Sequence, residues 1–195
     1  MFTTILHRIA SNPWIYDQIQ HFFGLEETCR RLRPYLQQTE NQIVLDVGAG
    51  TGNYTPLLPP SATYIWLDND LQRMRGFKKK WPSGLATLGD ATRMGLKDKS
   101  VDYALCIALS HHFSDTELNF LFCELSRVIR RKLIFLDAIE YKESWISNLV
   151  WRYDRGSYPR SSEMICSVIE RWFELEQIEH YAIYHRYLLC VGRPK

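Results

Sequence analysis

Three short stretches of this chain hold residues whose types and order could do chemistry. The first is Ile43-Val44-Leu45-Asp46-Val47-Gly48-Ala49-Gly50-Thr51-Gly52-Asn53, apolar residues bracketing one acid and then three glycines at alternate positions. Glycine serves where the backbone takes positive φ or must approach a ligand with no side chain between. The stretch reads as a buried strand, a tight turn and the opening of a helix, whose free N–H groups carry partial positive charge. It is a cradle for a small molecule. The second stretch is Asp68-Asn69-Asp70, following the apolar run Tyr64-Ile65-Trp66-Leu67 and sixteen positions beyond Gly52. An acid at the tip of a second strand can accept both hydroxyls of a ribose. The third is His111-His112, just past the run Val101 to Ile107. Histidine titrates nearest neutrality, so it can take a proton from a phenol, an acid or an amine.

Glycine spacing separates the candidate ligands. A nicotinamide or flavin fingerprint runs G-x-G-x-x-G/A, its third small residue letting helix and strand pack closely. Here the third glycine comes one position early, and Asn53 stands where Gly or Ala would be wanted. An acid inside the first strand is also foreign to that pattern. Asp46-Val47-Gly48-Ala49-Gly50-Thr51-Gly52 instead resembles the first motif of the class I S-adenosylmethionine-dependent methyltransferases. Asp68, with Asn69 beside it, matches the second motif, whose acid holds the ribose. In Gly89-Asp90-Ala91 the resemblance implies that Asp90 accepts from the adenine amine, while the Ala91 N–H reads a ring nitrogen. A carboxylate suits an amine donor, although a plain turn acid is the competing reading. Ala108-Leu109-Ser110-His111-His112-Phe113 resembles the fourth-strand motif, where a carbonyl near Cys106 or Ile107 receives the amino group of the cofactor's methionine part. The resemblance thus implies S-adenosylmethionine as cofactor and S-adenosylhomocysteine as product. Asp46, Gly48, Ala49, Gly50, Gly52, Asp68, Asn69, Asp90, Ala91, Cys106 and Ile107 would surround it. His112, and less directly His111, are the candidates for base or substrate ligand; histidines in such loops also serve only to hold backbone.

The elements that must position these residues follow from periodicity. After the strand at 43–47, further strands are expected at 64–68, 85–88, 101–107 and 133–137, with 101–107 nearly continuous in apolar residues as a strand covered on both faces should be. A helix capped by Asp70 is expected over 71–80. Another opens at Ser114 with a buried stripe of Leu118, Leu121, Phe122, Leu125, Val128 and Ile129. A short helix ending at Pro59-Pro60 is expected after the glycine turn. Lys78-Lys79-Lys80 and Arg130-Arg131-Lys132 read as solvated helix ends, and the family's usual glycines before the fifth strand are missing. A last helix over 163–172 leads to strands at 175–184 and 187–192, whose short link implies a hairpin and an antiparallel final strand. The fold class expected is α/β, a Rossmann-like methyltransferase fold. It has a seven-stranded mostly parallel sheet, an antiparallel last strand and helices on both faces.

Two regions are left for the acceptor. Residues 1–40 read as a helical arm, with Phe2, Ile5, Leu6 and Ile9 at helical spacing and Ile15, Ile19, Phe22 and Phe23 after the Asn12-Pro13 break. In the family it resembles, such an arm lies over the cofactor cleft, so Tyr16 and Gln20 would line its mouth. The segment 138–162 carries Tyr141, Trp151, Tyr153 and Arg155, which could face a flat, apolar or anionic acceptor. A helix end closed by Gly156 is the equal alternative.

Composition limits the classes. With 195 residues, 46% of them hydrophobic, one domain with a sizeable core is expected, comprising the arm over 1–40 and a cofactor core over 41–195. A net charge of +2 gives no argument for a nucleic-acid partner. Five scattered cysteines with no metal-ligand spacing support neither a disulfide framework nor a metal site, and reduced thiols in the cytoplasm are the simplest reading. No apolar run reaches the length of a membrane span, and His7 and Arg8 break any signal-peptide layout. Peripheral membrane contact by the first helix stays open, and oligomeric state is not legible. The function expected is methyl transfer to O, N or C of a small, hydrophobic acceptor. The alternatives are a non-catalytic cofactor-binding protein and a methyltransferase acting on RNA or protein.

Overall fold

The computed structural model describes residues 25–140, 158–183 and 186–195. Seven strands form one sheet in the order β3-β2-β1-β4-β5-β7-β6: β1 (Ile43–Val47), β2 (Thr63–Asp68), β3 (Leu85–Leu88), β4 (Val101–Ile107), β5 (Ile129–Ile139), β6 (Phe173–Ala182) and β7 (Arg186–Pro194). The strands from β3 to β5 pair in parallel, while β7 pairs antiparallel with both β5 and β6. The expected architecture, including the antiparallel last strand, is what forms.

Alternation along the strands divides the core into two layers, because successive side chains leave a strand on opposite faces. Leu45, Val47, Cys106, Leu133 and Phe135 join one cluster with Leu118, Leu121, Phe122 and Leu125 of α3 (Asp115–Val128) and Ile165 and Ile169 of α4 (Ser162–Ile169). Val44, Leu105, Ile107, Ile134 and Leu136 join a second with Leu25, Leu32 and Leu36 of α1 (Leu25–Leu36). On that side Trp66 also stacks on Phe77 of α2 (Leu71–Lys80), ring centroids 5.7 Å apart. Helices thus cover both faces. None of those described is long and apolar enough to cross a membrane.

Three local expectations fail for identifiable reasons. No α-helix follows the glycine turn; a single 3₁₀ turn, Thr55–Leu57, fills the gap to β2. Pro56 lacks an amide donor and Pro59-Pro60 closes the segment, leaving no room to nucleate a helix. Arg130, Arg131 and Lys132 do not end a helix but lie inside β5, whose first residue is Ile129. The α3 helix passes straight into the strand, so the missing glycines are not needed. The last helix stops at Ile169 and Phe173 already opens β6, so Trp172 lies beyond it.

Candidate active site

The candidate site begins at the glycine turn that leaves β1 on its way to the parallel neighbour β2. Gly48, Gly50 and Gly52 all have positive φ, at 71°, 56° and 75°. A Cβ on Gly48 would stand 2.6 Å from Leu109 Cδ1, so the alternating glycines meet both a backbone and a packing requirement here. The turn's donors are committed inward. The N–H groups of Gly48 and Ala49 bond to Leu67 O, and Gly50 donates to Asp68 Oδ2 at 2.9 Å. Trp66 Nε1 donates to Gly50 O at 2.8 Å, pinning the same residue from the other side. The turn therefore shapes a close approach and sets Asp68, with no helix N-terminus behind it.

A cavity of about 430 Å³ opens at the carboxyl ends of these strands. Gly48, Asp68, Asn69, Asp90, Ala91 and His112 of the predicted residues line it, in the crevice where open α/β sheets bind ligands. Asp68 is buried at the tip of β2 and takes the Asp70 N–H on Oδ1 at 3.0 Å. Asp70 caps α2 as expected, its carboxylate accepting from the N–H groups of Gln72 and Arg73. Asp90 Oδ1 accepts from the Thr92 amide and hydroxyl, both at 2.8 Å, which holds the carboxyl at the end of β3.

The remaining predicted cofactor residues, Asp46, Ala49, Gly50, Gly52, Cys106 and Ile107, are not among the described lining residues. Asp46 is buried within β1 and accepts a 2.6 Å hydrogen bond from the Tyr64 hydroxyl. Burial raises its carboxyl to about 7, opposed by the Tyr64 bond and reinforced by the nearby charge of Asp68. Cys106 and Ile107 are buried in β4, where Cys106 sits in register with Val47 of β1. Tyr16, Gln20, Tyr141, Trp151, Tyr153 and Arg155 lie outside the described residues.

The two histidines part company. His112 lines the cavity. His111 is buried, its Nδ1 2.7 Å from Asp137 Oδ1, and the rings of the pair are 4.2 Å apart. Asp137 Oδ2 accepts the Ser110 amide at 2.7 Å and the Ser110 hydroxyl at 2.6 Å. Burial works to raise the Asp137 carboxyl, but the charge and hydrogen bond of His111, with those from Ser110, hold it below its ordinary value. His111 thus anchors the turn Ser110–His112, and His112 is the one that meets the cavity.

Sequence reasoning missed four contributors. Arg73 lines the cavity with its guanidinium 3.6 Å from Asp68 and 3.9 Å from Asp70; its place in the first turn after a capping acid was a readable signal. Leu109 and Phe113 supply apolar wall beside His112. Arg160, almost wholly buried, bonds to the turn that bears both histidines, and nothing in the pattern around it announces this.

Residues 45–136 match the family model described as a methyltransferase domain. Over 80 residues, 40% of this chain, the sequence is 35% identical to an uncharacterized methyltransferase-like protein of Schizosaccharomyces pombe, and the matched stretch is 31% of that protein. The chain therefore spans about a third of the length of that relative. Among solved structures, the PH0226 protein of Pyrococcus horikoshii superposes with a TM-score of 0.75 at 21% identity, covering 90% of this chain and 92% of that one. Magnesium protoporphyrin IX methyltransferase of Synechocystis, with bound S-adenosylhomocysteine, gives 0.71 at 17% identity, covering 87% and 84%. At such identities the likeness is one of fold.

Proposed function

We propose that this chain, whose residues 45–136 match the family model of a methyltransferase domain, transfers a methyl group from S-adenosylmethionine to an O, N or C atom of a small, hydrophobic acceptor, leaving S-adenosylhomocysteine. One observation carries the cofactor part: a single cavity of about 430 Å³ is lined by Asp68, Asp90 and Ala91 together with Gly48. That volume lies within the range of about 300–1,000 Å³ typical of small-molecule sites.

The residues present fit an adenosyl group. A carboxylate has about four acceptor sites; Asp68 uses one on each oxygen for backbone N–H groups, which leaves sites for two ribose hydroxyls. Asp90 is braced by Thr92 to accept an exocyclic amine, and Leu67, Ala91, Leu109 and Phe113 give apolar surface for a base. Arg73 offsets the negative charge gathered by Asp68 and Asp70.

When bound, the cofactor supplies an electrophilic methyl carbon on a sulfonium. The protein's task is to hold acceptor and donor in line and to exclude water. Leu109 and Phe113 shield the wall on the His112 side. His112 takes the proton of an acceptor that arrives as a phenol, acid or ammonium, while His111 and Asp137 fix the turn that bears it. Residues 1–40, with Tyr16 and Gln20, and the segment 138–162, with Tyr141, Trp151, Tyr153 and Arg155, are read as the acceptor's side of the site. Their aromatic character supports a hydrophobic acceptor. All five cysteines are free, in keeping with a cytoplasmic setting.

Thermal-shift runs with S-adenosylmethionine, S-adenosylhomocysteine and NAD test the cofactor: stabilisation by the first two is expected, and by NAD alone would refute the reading. Cell extract incubated with methyl-labelled cofactor tests the acceptor. A labelled product that partitions into organic solvent is expected. Label confined to RNA or protein would overturn the small-molecule part, and cofactor binding with no transfer at all would make this a binding protein.

A further inference from the structure

Arg160 lies between the end of β5 and α4, far in sequence from the histidine turn, yet its side chain is only 3% exposed. Its guanidinium spends its donors on the backbone on both sides of the histidines. Nη1 donates to Ser110 O at 3.1 Å, and Nη2 donates to Phe113 O at 2.6 Å. Nε and Nη2 both donate to Asp115 Oδ1, at 2.9 and 2.7 Å, in the first turn of α3. Nη1 also reaches Tyr158 O at 3.3 Å. The Tyr158 N–H bonds to His111 O, and the Arg160 carbonyl accepts from Glu140 N at 2.8 Å. The carbonyls before and after the histidine pair thus hang on one planar, five-donor fork. An ammonium could not reproduce this geometry.

We infer that Arg160 is a positioning residue for the transfer reaction: it sets where His112 and Phe113 stand relative to the cavity without itself lining it. The inference rests on the reading of His112 as the group that faces the acceptor. Asp137 fixes the same turn from below through Ser110 and His111, so the His112 backbone is held between a buried carboxylate and a buried guanidinium. The cavity wall from Asp68 to Ala91 is built from other elements. Loosening Arg160 should therefore move the transfer step and leave cofactor affinity in place, since misplacement by about 1 Å can lower a rate roughly 10²-fold.

The test is Arg160→Lys in the full chain, with three readouts. Histidine-selective NMR, with the His112 signal identified by His112→Gln, should show the His112 ring resonances shifted or broadened. Affinity for S-adenosylhomocysteine, measured by calorimetry, should stay within about twofold of the parent. Transfer of label to the extract product should fall about tenfold or more. Asp115→Asn guards against a variant that fails to fold: it removes the exposed charge partner but keeps the buried fork, and should move the same resonances by less. Unmoved His112 resonances in a folded Arg160→Lys or Asp115→Asn protein would overturn the inference, even if melting temperature fell. A parent protein that binds no S-adenosylhomocysteine would instead sink the methyltransferase reading, and the two failures are told apart by that measurement.

Discussion

His111 Nδ1 lies 2.7 Å from Asp137 Oδ1, joining the turn after β4 to the carboxyl end of β5 across 26 residues of chain. The contact gives the two adjacent histidines, of which the sequence already favours His112, separate roles. The buried ring pairs with a carboxylate and sets the turn; its neighbour meets the cavity.

The pair has a pH signature. Asp137 is held below its ordinary value of 3.8, so its contribution to stability is full above that value and is lost as pH falls through the depressed one. Asp137→Asn should destabilise the protein by about 3–5 kcal/mol at pH 7, because it strands a buried partner. Urea unfolding at pH 7 and pH 3 checks this: the penalty should shrink in acid, and an equal penalty at both would refute the assignment.

Asp46 should behave in the opposite sense. Its carboxyl is raised by burial to about 7 in the folded protein, against 3.8 for an ordinary aspartate. Its contribution is therefore full below 3.8 and is lost as pH rises through 7. Asp46→Asn keeps an oxygen for the Tyr64 hydroxyl and removes the ionisation. The variant should melt higher than the parent at pH 8, by about 5 °C, and at the same temperature at pH 4. A lower melting temperature at pH 8 would contradict the account.

Gly48→Ala meets both a φ of 71° and a Leu109 methyl 2.6 Å away. A loss of about 1–3 kcal/mol is expected from the backbone alone, with more from the clash. Gly48→Ala combined with Leu109→Ala should recover only the second part. Full recovery in the double variant, read by urea midpoints, would mean that the backbone requirement is absent.

Asp68→Ala should weaken binding of S-adenosylhomocysteine by roughly 10- to 100-fold, the worth of one or two hydrogen bonds to a charged group. Unchanged affinity by calorimetry would remove Asp68 from the ribose role. His112→Gln should leave that affinity intact while lowering transfer about 10²-fold. Weakened cofactor binding with unchanged transfer would argue against the base.

Much of this was legible because local patterns and tertiary demands agree. The strand of Ile43–Val47, the acid that ends β2 and the Asp70 cap of α2 each follow from residues close in sequence. The glycine turn is legible as a close approach, but the strand–turn–helix habit predicts a helix after it where three prolines allow only a 3₁₀ turn. Arg130 to Lys132 read as helix end because charge predicts exposure, and the first residues of β5, which reach solvent, satisfy charge equally well. The Arg160 fork and the Asp137 partner that holds His111 were beyond reach. Both depend on which long-range carbonyl or carboxylate the fold brings alongside, and no period or spacing encodes that.

The central claim is that an adenosyl group lodges between Asp68 and Asp90. A crystal structure of the protein grown with S-adenosylhomocysteine tests it most directly. The account predicts density for a nucleoside in the cavity beside Gly48, with the ribose hydroxyls on the Asp68 carboxylate and the adenine amine toward Asp90. Ligand bound elsewhere on the sheet, or a ribose out of reach of Asp68, would contradict it.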